Sequence, residues 1–555
     1  MVQMKKVLLV LLAVVLAIAV FAQPALNDKE VPRPKLVVGI VVDQMRWDYL
    51  YRYYDRYGDG GFKRMLREGF SNENAYINHA PTLTAIGHST TYTGSVPAIH
   101  GITGNDFIIQ ATGADMYCTQ DDSVNGLGTT EKEGKMSPKN LLVSTITDEL
   151  KLATNFRSKV IGISIKDRGA ILPAGHFADA AYWFEGKSGK FISSDYYMKK
   201  LPDWVEKFNN KKLPLQLLKT DWTPLYPMDT YKQSIPDGNP YEGKLGASKD
   251  ATFPVKTSEL IKNGANPGII TSTPYGNTLL VEFAKEALIN ENLGKNPHNV
   301  PDFLAVSFSS PDYIGHQYAV NSMKVEDNYL RLDKDLADFY NFLDQHVGKG
   351  NYTVFMTADH GAAHNPQFFV DKGGNGGYFD GRAMRDSLNN VLKAKYGVEK
   401  LVISTSNYQI HLNNPVIIEK GLDEEAIIND IIKVLNTYEH IAYAVNNRKL
   451  GEAGIPARVK EMLINGFNLK RSGVISYGLV PQMYPGNYGN TGTTHGSWYP
   501  YDAKIPLVWF GWGINHGTSV QHVYQVDIAP TLAALLRIQE PNGNIGKPIK
   551  EVIKK

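Results

Sequence analysis

Cysteine is almost missing from this chain: among 555 residues there is only Cys118. A single thiol forms no intramolecular disulfide and builds no thiolate metal site, so both are excluded. Charge of one sign is missing as well. Lys and Arg number 58 against 56 Asp and Glu, a net charge of +2, which gives no electrostatic ground for a nucleic-acid partner. Internal repeats and low-complexity tracts are absent too. Long apolar runs are wanting except for one, Val7 to Ala22, which follows Lys5 and Lys6 and stops at Gln23-Pro24. A basic start, an apolar core and a small residue read as a secretory signal over 1–22, cleaved near Ala22. The run is shorter than the roughly 20 residues of a spanning helix, and no cysteine follows it to carry a lipid. The mature chain is therefore expected in the periplasm or outside the cell, with no stable membrane span.

What is present in quantity is hydrophobic sequence, 43% of the chain, arranged as short apolar runs alternating with helical patterns. That alternation predicts an α/β fold with a largely parallel sheet covered on both faces. Lys35 to Val42 reads as a buried first strand, followed by Lys159 to Ile165, Asp302 to Ser307, Tyr352 to Thr357 and Ile505 to Phe510. Helices are expected over Asn140 to Leu152, Thr278 to Asn290, Met323 to His346 and Asp527 to Arg537. The catalytic body is assigned to 23–364 and 489–555. Within it, 186–254 lacks a sustained period and reads as a surface insertion. Residues 365–488 carry their own strands (Leu401 to Ser406, Tyr408 to Leu412) and an amphipathic helix (Asp423 to Leu435), and are expected to form a small α+β cap.

Chemistry in such sheets gathers beyond the carboxyl ends of the strands. Asp43 ends the first strand; Lys166, the run Ser309-Ser310-Pro311-Asp312 and the pair Asp359-His360 follow three others. Asp312 and His316 are four apart and share a face if the loop enters a helix. His495 stands among Gly492, Thr493, Thr494 and Gly496, small residues that let backbone approach a site. Three Asp and three His make two mixed oxygen and nitrogen ligand sets, which suits zinc. Any one Asp-His pair taken alone is more often a cap or an ion pair, just as a lone Thr84 ahead of a helix is more often a cap.

The order of the pieces says more. Pro81-Thr82-Leu83-Thr84-Ala85-Ile86-Gly87-His88, Asn105-Asp106, Ser310-Pro311-Asp312-Tyr313-Ile314-Gly315-His316, Thr357-Ala358-Asp359-His360-Gly361 and Thr494-His495-Gly496 together resemble the alkaline phosphatase superfamily. Over nearly the whole mature chain they look like its phosphate-irrepressible branch and the related nucleotide pyrophosphatase/phosphodiesterases. The resemblance implies an α/β/α sandwich and two zinc ions per chain. One ion is held by Asp312, His316 and His495, the other by Asp43, Asp359 and His360 with Thr84 completing its shell. Two such ions, roughly 4 Å apart, clamp an in-line displacement, with Thr84 as the nucleophile that becomes phosphothreonine. His88 takes no metal role in that pattern and is assigned to structure.

Small phosphate esters are the implied substrates, and the chain is expected to act as a monomer. A monoester has three non-bridging oxygens, one more than a diester, so cationic donors near the third oxygen favour monoesters. Ser164-Ile165-Lys166-Asp167-Arg168 resembles the Lys-x-Arg element of phosphomonoesterases, in which both cations and an Asn, here Asn105, bind phosphate. Strand alternation after Ile165 is expected to turn Asp167 away from Lys166 and Arg168; a solvated loop is the bland alternative. A diesterase with the same metals stays open. A sulfatase lacks its Cys/Ser-x-Pro-x-Arg signature here, a phosphoglycerate mutase uses Ser as nucleophile, and a silent metal-binding surface protein is expected to have lost ligands that this chain keeps.

Overall fold

The computed structural model describes residues 31–486 and 490–554. The signal expected over 1–22 lies outside the described residues. The chain divides at Arg33, and everything below concerns the body from Pro34 onward.

Leu36–Val42 has the sequence LVVGIVV, and all seven residues are buried. Such a β-branched run needs cover on both faces, and it lies at the middle of a ten-stranded sheet. Five neighbours form the parallel centre, in the order Tyr352–Thr357, Leu36–Val42, Asp302–Phe308, Val160–Ser164 and Ala180–Glu185. The flanks run the other way. Leu507–Gly511 pairs antiparallel with Tyr352–Thr357, and Lys190–Ser194 pairs antiparallel with Ala180–Glu185. The sheet is thus mixed, with helices on both sides.

Several boundaries differ from the sequence reading, each for a local reason. The strand expected over Ile505 to Phe510 is broken at Pro506, which lacks the N–H a ladder needs. Lys504–Ile505 pairs with Ala75–Tyr76 in a small separate sheet, and only Leu507–Gly511 joins the main one. The helix expected from Asn140 begins at Ile146, where Thr145 and Asp148 close a capping box. Residues 186–254 are not wholly a surface insertion. Lys190–Ser194 belongs to the main sheet, Phe191 stacks on Phe283 at 3.9 Å, and buried Trp222 donates its indole N–H to Asp327.

Residues 379–483 enclose a hydrophobic cluster distinct from the main core. Its four-stranded antiparallel sheet, Val402–Ser404, Gln409–Leu412, Ile475–Leu479 and Ile441–Asn446, packs with the helices Gly381–Tyr396 and Glu424–Leu435.

Candidate active site

Four adjacent parallel strands end at one edge of the sheet, and each delivers a polar residue there. Val42 hands on to Asp43, Ser164 to Lys166, Phe308 to the helix Ser310–Tyr318 that carries Asp312 and His316, and Thr357 to Asp359 and His360. His495 arrives from the far end of the chain. Its side chain lies 3.7 Å from the Asp312 carboxylate, and its ring stacks on His360 with centroids 3.4 Å apart.

The three candidate histidine ligands share one arrangement. His316 Nδ1 meets the Thr493 carbonyl at 2.7 Å, His360 Nδ1 the Gly361 carbonyl at 3.0 Å, and His495 Nδ1 the Thr82 carbonyl at 2.8 Å. A carbonyl only accepts, so each Nδ1 carries a proton, which makes Nε2 the nitrogen that can coordinate when the ring is neutral. The Nε2 atoms face carboxylates: His316 Nε2 is 3.2 Å from Asp312, where burial opposes protonation but the carboxylate charge raises the His316 pKa, and His360 Nε2 is 3.2 Å from Asp359. Orientation of a ring by a backbone acceptor is how imidazole ligands are held for a metal.

The carboxylates are as telling. One oxygen of Asp359 is buried without a hydrogen-bond partner, and the corresponding oxygen of Asp43 is answered only by the Lys166 ammonium 3.0 Å away. Burial, and then the neighbouring charge of Asp43, push the Asp359 carboxyl well above the usual range. Asp312 is held well below it: burial opposes ionisation, but His316 and Lys166 prevail. Burial drops His360 to about 4 and holds His495 well below the ordinary imidazole range, so both rings stay neutral and able to coordinate. An orphaned carboxyl oxygen on Asp359, a second on Asp43 met only by an ammonium, and neutral imidazoles beside them fit a divalent cation that takes oxygen and nitrogen ligands. Asp312, His316 and His495 form one close group.

The other close group is Asp43, Asp359 and His88, although the resemblance implies His360 as the third partner. Both ring nitrogens of His88 are occupied, Nδ1 by the Thr84 carbonyl at 2.9 Å and Nε2 by Ser307 Oγ at 2.8 Å. Both nitrogens of His88 are thus engaged within the fold, whereas His360 Nε2 is turned toward Asp359 and the Thr84 hydroxyl. Ser307 in turn donates to Asp43 at 2.9 Å.

Thr84 is the first residue of the helix Thr84–Thr93, and the residue before it, Leu83, has no polar side chain to cap the helix. The Thr84 hydroxyl is buried, with His360 Nε2 3.5 Å away. The helix is instead capped from a distance: the Ala85 N–H donates to Asn105 Oδ1 at 3.0 Å. That contact uses the acceptor of Asn105 and leaves its amide N–H groups as what it can offer an anion.

Lys166 and Arg168 do not sit on a strand. Lys166 precedes the helix Asp167–Ala174, so the expected alternation fails as a reason. Asp167 turns aside because Tyr117 and Thr119 donate to it at 2.6 and 2.8 Å, although it stays 3.8 Å from Arg168. The Lys166 ammonium lies 2.6 Å from Asp312 and 3.0 Å from Asp43, bridging the two ligand groups.

Gln44 was not found from the sequence. It has φ 63°, its N–H donates to Asp359 and its side-chain amide to Asp312. Only its place beside Asp43 could have pointed to it.

Residues 37–475 match the family of type I phosphodiesterases and nucleotide pyrophosphatases. The chain belongs to that family. Within it, the chain is 47% identical over 531 residues to alkaline phosphatase PafA of Elizabethkingia meningoseptica, covering 95% of this chain and 96% of the relative. A crystal structure of wild-type PafA superposes with a TM-score of 0.92, covering 95% of this chain and 100% of that one. A second PafA structure bears substitutions of one threonine, one asparagine, one lysine and one arginine; its TM-score is 0.91 at 46% identity, with the same coverage. A Myroides odoratus protein named calcium-transporting ATPase is 58% identical over 533 residues, 96% of this chain and 97% of the relative. The family member described here is a phosphoesterase with the PafA-like alkaline phosphatase fold. Among the described residues no helix is long and apolar enough to cross a membrane.

Proposed function

We propose that this phosphoesterase is an exported alkaline phosphatase that hydrolyses phosphate monoesters of broad structure through a phosphothreonine on Thr84. In this reading Asp312, His316 and His495 hold one zinc ion, and Asp43, Asp359 and His360 hold the other beside Thr84. When bound, the ions supply Lewis acidity that neutralises phosphate charge and eases ionisation of a hydroxyl. Thr84 Oγ1 attacks phosphorus while the ester oxygen leaves; water then cleaves the Thr84–phosphate bond and frees the nucleophile. The amides opening the ten-residue helix Thr84–Thr93 add positive potential where the phosphate sits. The N–H groups of Asn105 and the cations of Lys166 and Arg168 bind the non-bridging oxygens.

The observation that carries this reading is the set of three imidazoles, each with Nδ1 spent on a carbonyl and Nε2 turned inward, around a buried threonine hydroxyl. The four residue types substituted in the PafA variant also match Thr84, Asn105, Lys166 and Arg168. Thr84→Ala is expected to keep its zinc by elemental analysis and to lose turnover by several orders of magnitude. Near-normal activity would end the covalent route. Intact mass of the exported protein, expected to begin near Gln23, tests the export signal.

A diesterase is the second reading, and one observation favours it. The Lys166 ammonium is already shared between Asp43 and Asp312, which leaves less charge for a third phosphate oxygen. Rates on an aryl phosphate and on its methyl ester separate the two, and a strong diester preference overturns the monoester reading. Lys166→Ala and Arg168→Ala are expected to cost more monoester than diester activity; equal losses mean that these side chains do not read the third oxygen.

A further inference from the structure

The hairpin of Asp106–Ile109 and Ala114–Tyr117 follows directly on Asn105 and sets Tyr117 opposite Asp106. The backbone ties the two together, with the Cys118 N–H donating to the Asn105 carbonyl at 2.8 Å. Tyr117 lines a cavity of about 600 Å³ shared with Lys166, Arg168, Trp183 and Tyr313. Its hydroxyl lies between a donor and an acceptor: Arg168 Nη1 is 3.0 Å away and Asp167 Oδ1 is 2.6 Å away.

The direction of this chain of bonds is fixed by chemistry. A phenol has one hydrogen. An ionised carboxylate can only accept, so Asp167 takes it; a guanidinium can only donate, so the lone pairs of Tyr117 face Arg168. Burial pushes the Tyr117 phenol far above its ordinary range, which keeps that hydrogen in place. Thr119 donates to the other oxygen of Asp167 at 2.8 Å. The carboxylate is thereby held 3.8 Å from the guanidinium, beyond a direct hydrogen bond. Arg168 Nε is buried with no partner, so Tyr117 supplies the neutral contact that orients the fork.

We infer that Tyr117 is the positioning residue of the phosphate site: its hydroxyl aims Arg168 and keeps Asp167 from capturing it, so that the guanidinium charge stays available to a monoester. This inference rests on the proposed role of Arg168 in binding phosphate. Removing the hydroxyl leaves Asp167 and Arg168 to close directly into a salt bridge, which turns the fork away and neutralises it.

Tyr117→Phe in the zinc-loaded protein is the test, with zinc content and melting temperature as controls on the fold. We expect kcat/KM for an aryl phosphate to fall roughly tenfold, the order expected for a hydrogen bond to a charged group. Inhibition by inorganic phosphate is expected to weaken by a similar factor, while the methyl aryl diester changes less than about threefold. Introduced into Arg168→Ala, the substitution should add nothing. If Arg168→Ala weakens phosphate binding and Tyr117→Phe does not, or if their effects add in full, the inference alone is overturned. If Arg168→Ala leaves phosphate inhibition untouched, the proposed role of Arg168 falls with it.

Discussion

Asp502 is buried, with one oxygen accepting from the Ser497 N–H and hydroxyl at 2.8 and 2.6 Å and the other without a partner. It braces the segment that presents His495, and its own carbonyl accepts from the Gly361 N–H beside His360. Burial pushes its carboxyl up from 3.8 to about 7. A pKa raised on folding means that the native state holds a proton which the unfolded chain has already lost. The resulting stabilisation is fully present below about pH 4 and is gone once the pH passes about 7. Asp502→Asn removes the titration, so its melting temperature should fall less steeply than that of the wild type between pH 4 and 7. The difference corresponds to about 4 kcal/mol at most. Parallel curves across that range would show that Asp502 does not titrate there. At this scale the sequence was generous with candidate ligands and silent about their supports. Asp, His and Thr advertise their chemistry by type. Gln44, Ser307 and Tyr117 matter only for what they touch, and their partners lie scores to hundreds of residues away.

The helix Thr84–Thr93 has an almost polar sequence, TAIGHSTTYT, yet every residue of it is buried. Small side chains let it press against the sheet, and Gly87 is where the approach is closest: a Cβ there would fall on the backbone of Asp359. Gly87→Ala must therefore push the helix, and Thr84 with it, away from Asp359 and His360. Overpacking of this kind costs about 1–3 kcal/mol. We expect lower stability in urea and reduced zinc content together; a variant with wild-type values of both would mean that the helix has room to spare. Periodicity identified the long apolar elements because their burial is written in their composition. It could not find this helix, whose burial depends on smallness rather than hydrophobicity. It also misread Lys166-Asp167-Arg168, where a helix begins immediately after a strand and alternation stops applying.

Across the whole molecule the site draws on residues from Asp43 to His495. Asp43, Asp312 and Asp359 are all buried, and the one ammonium among them is that of Lys166. Three buried acids around one ammonium cost stability, and Asp359 answers by holding its proton unless a cation takes that place. An ion that binds only the folded chain stabilises it in proportion to the logarithm of its concentration over its Kd. Treatment with a chelator is therefore expected to abolish turnover and to lower the melting temperature by several degrees, with zinc restoring both. Magnesium, which favours oxygen over imidazole ligands, should restore neither. Unchanged melting and activity after exhaustive chelation would remove the basis for a metal site.

The central position of Leu36–Val42 carries a last consequence. This first strand waits between two others, Asp302–Phe308 and Tyr352–Thr357, that follow it by hundreds of residues, and the final imidazole comes later still. A ribosome must finish nearly the entire polypeptide before the threonine meets its partners. If the proposed centre is the working one, a truncated product or a nascent chain has none.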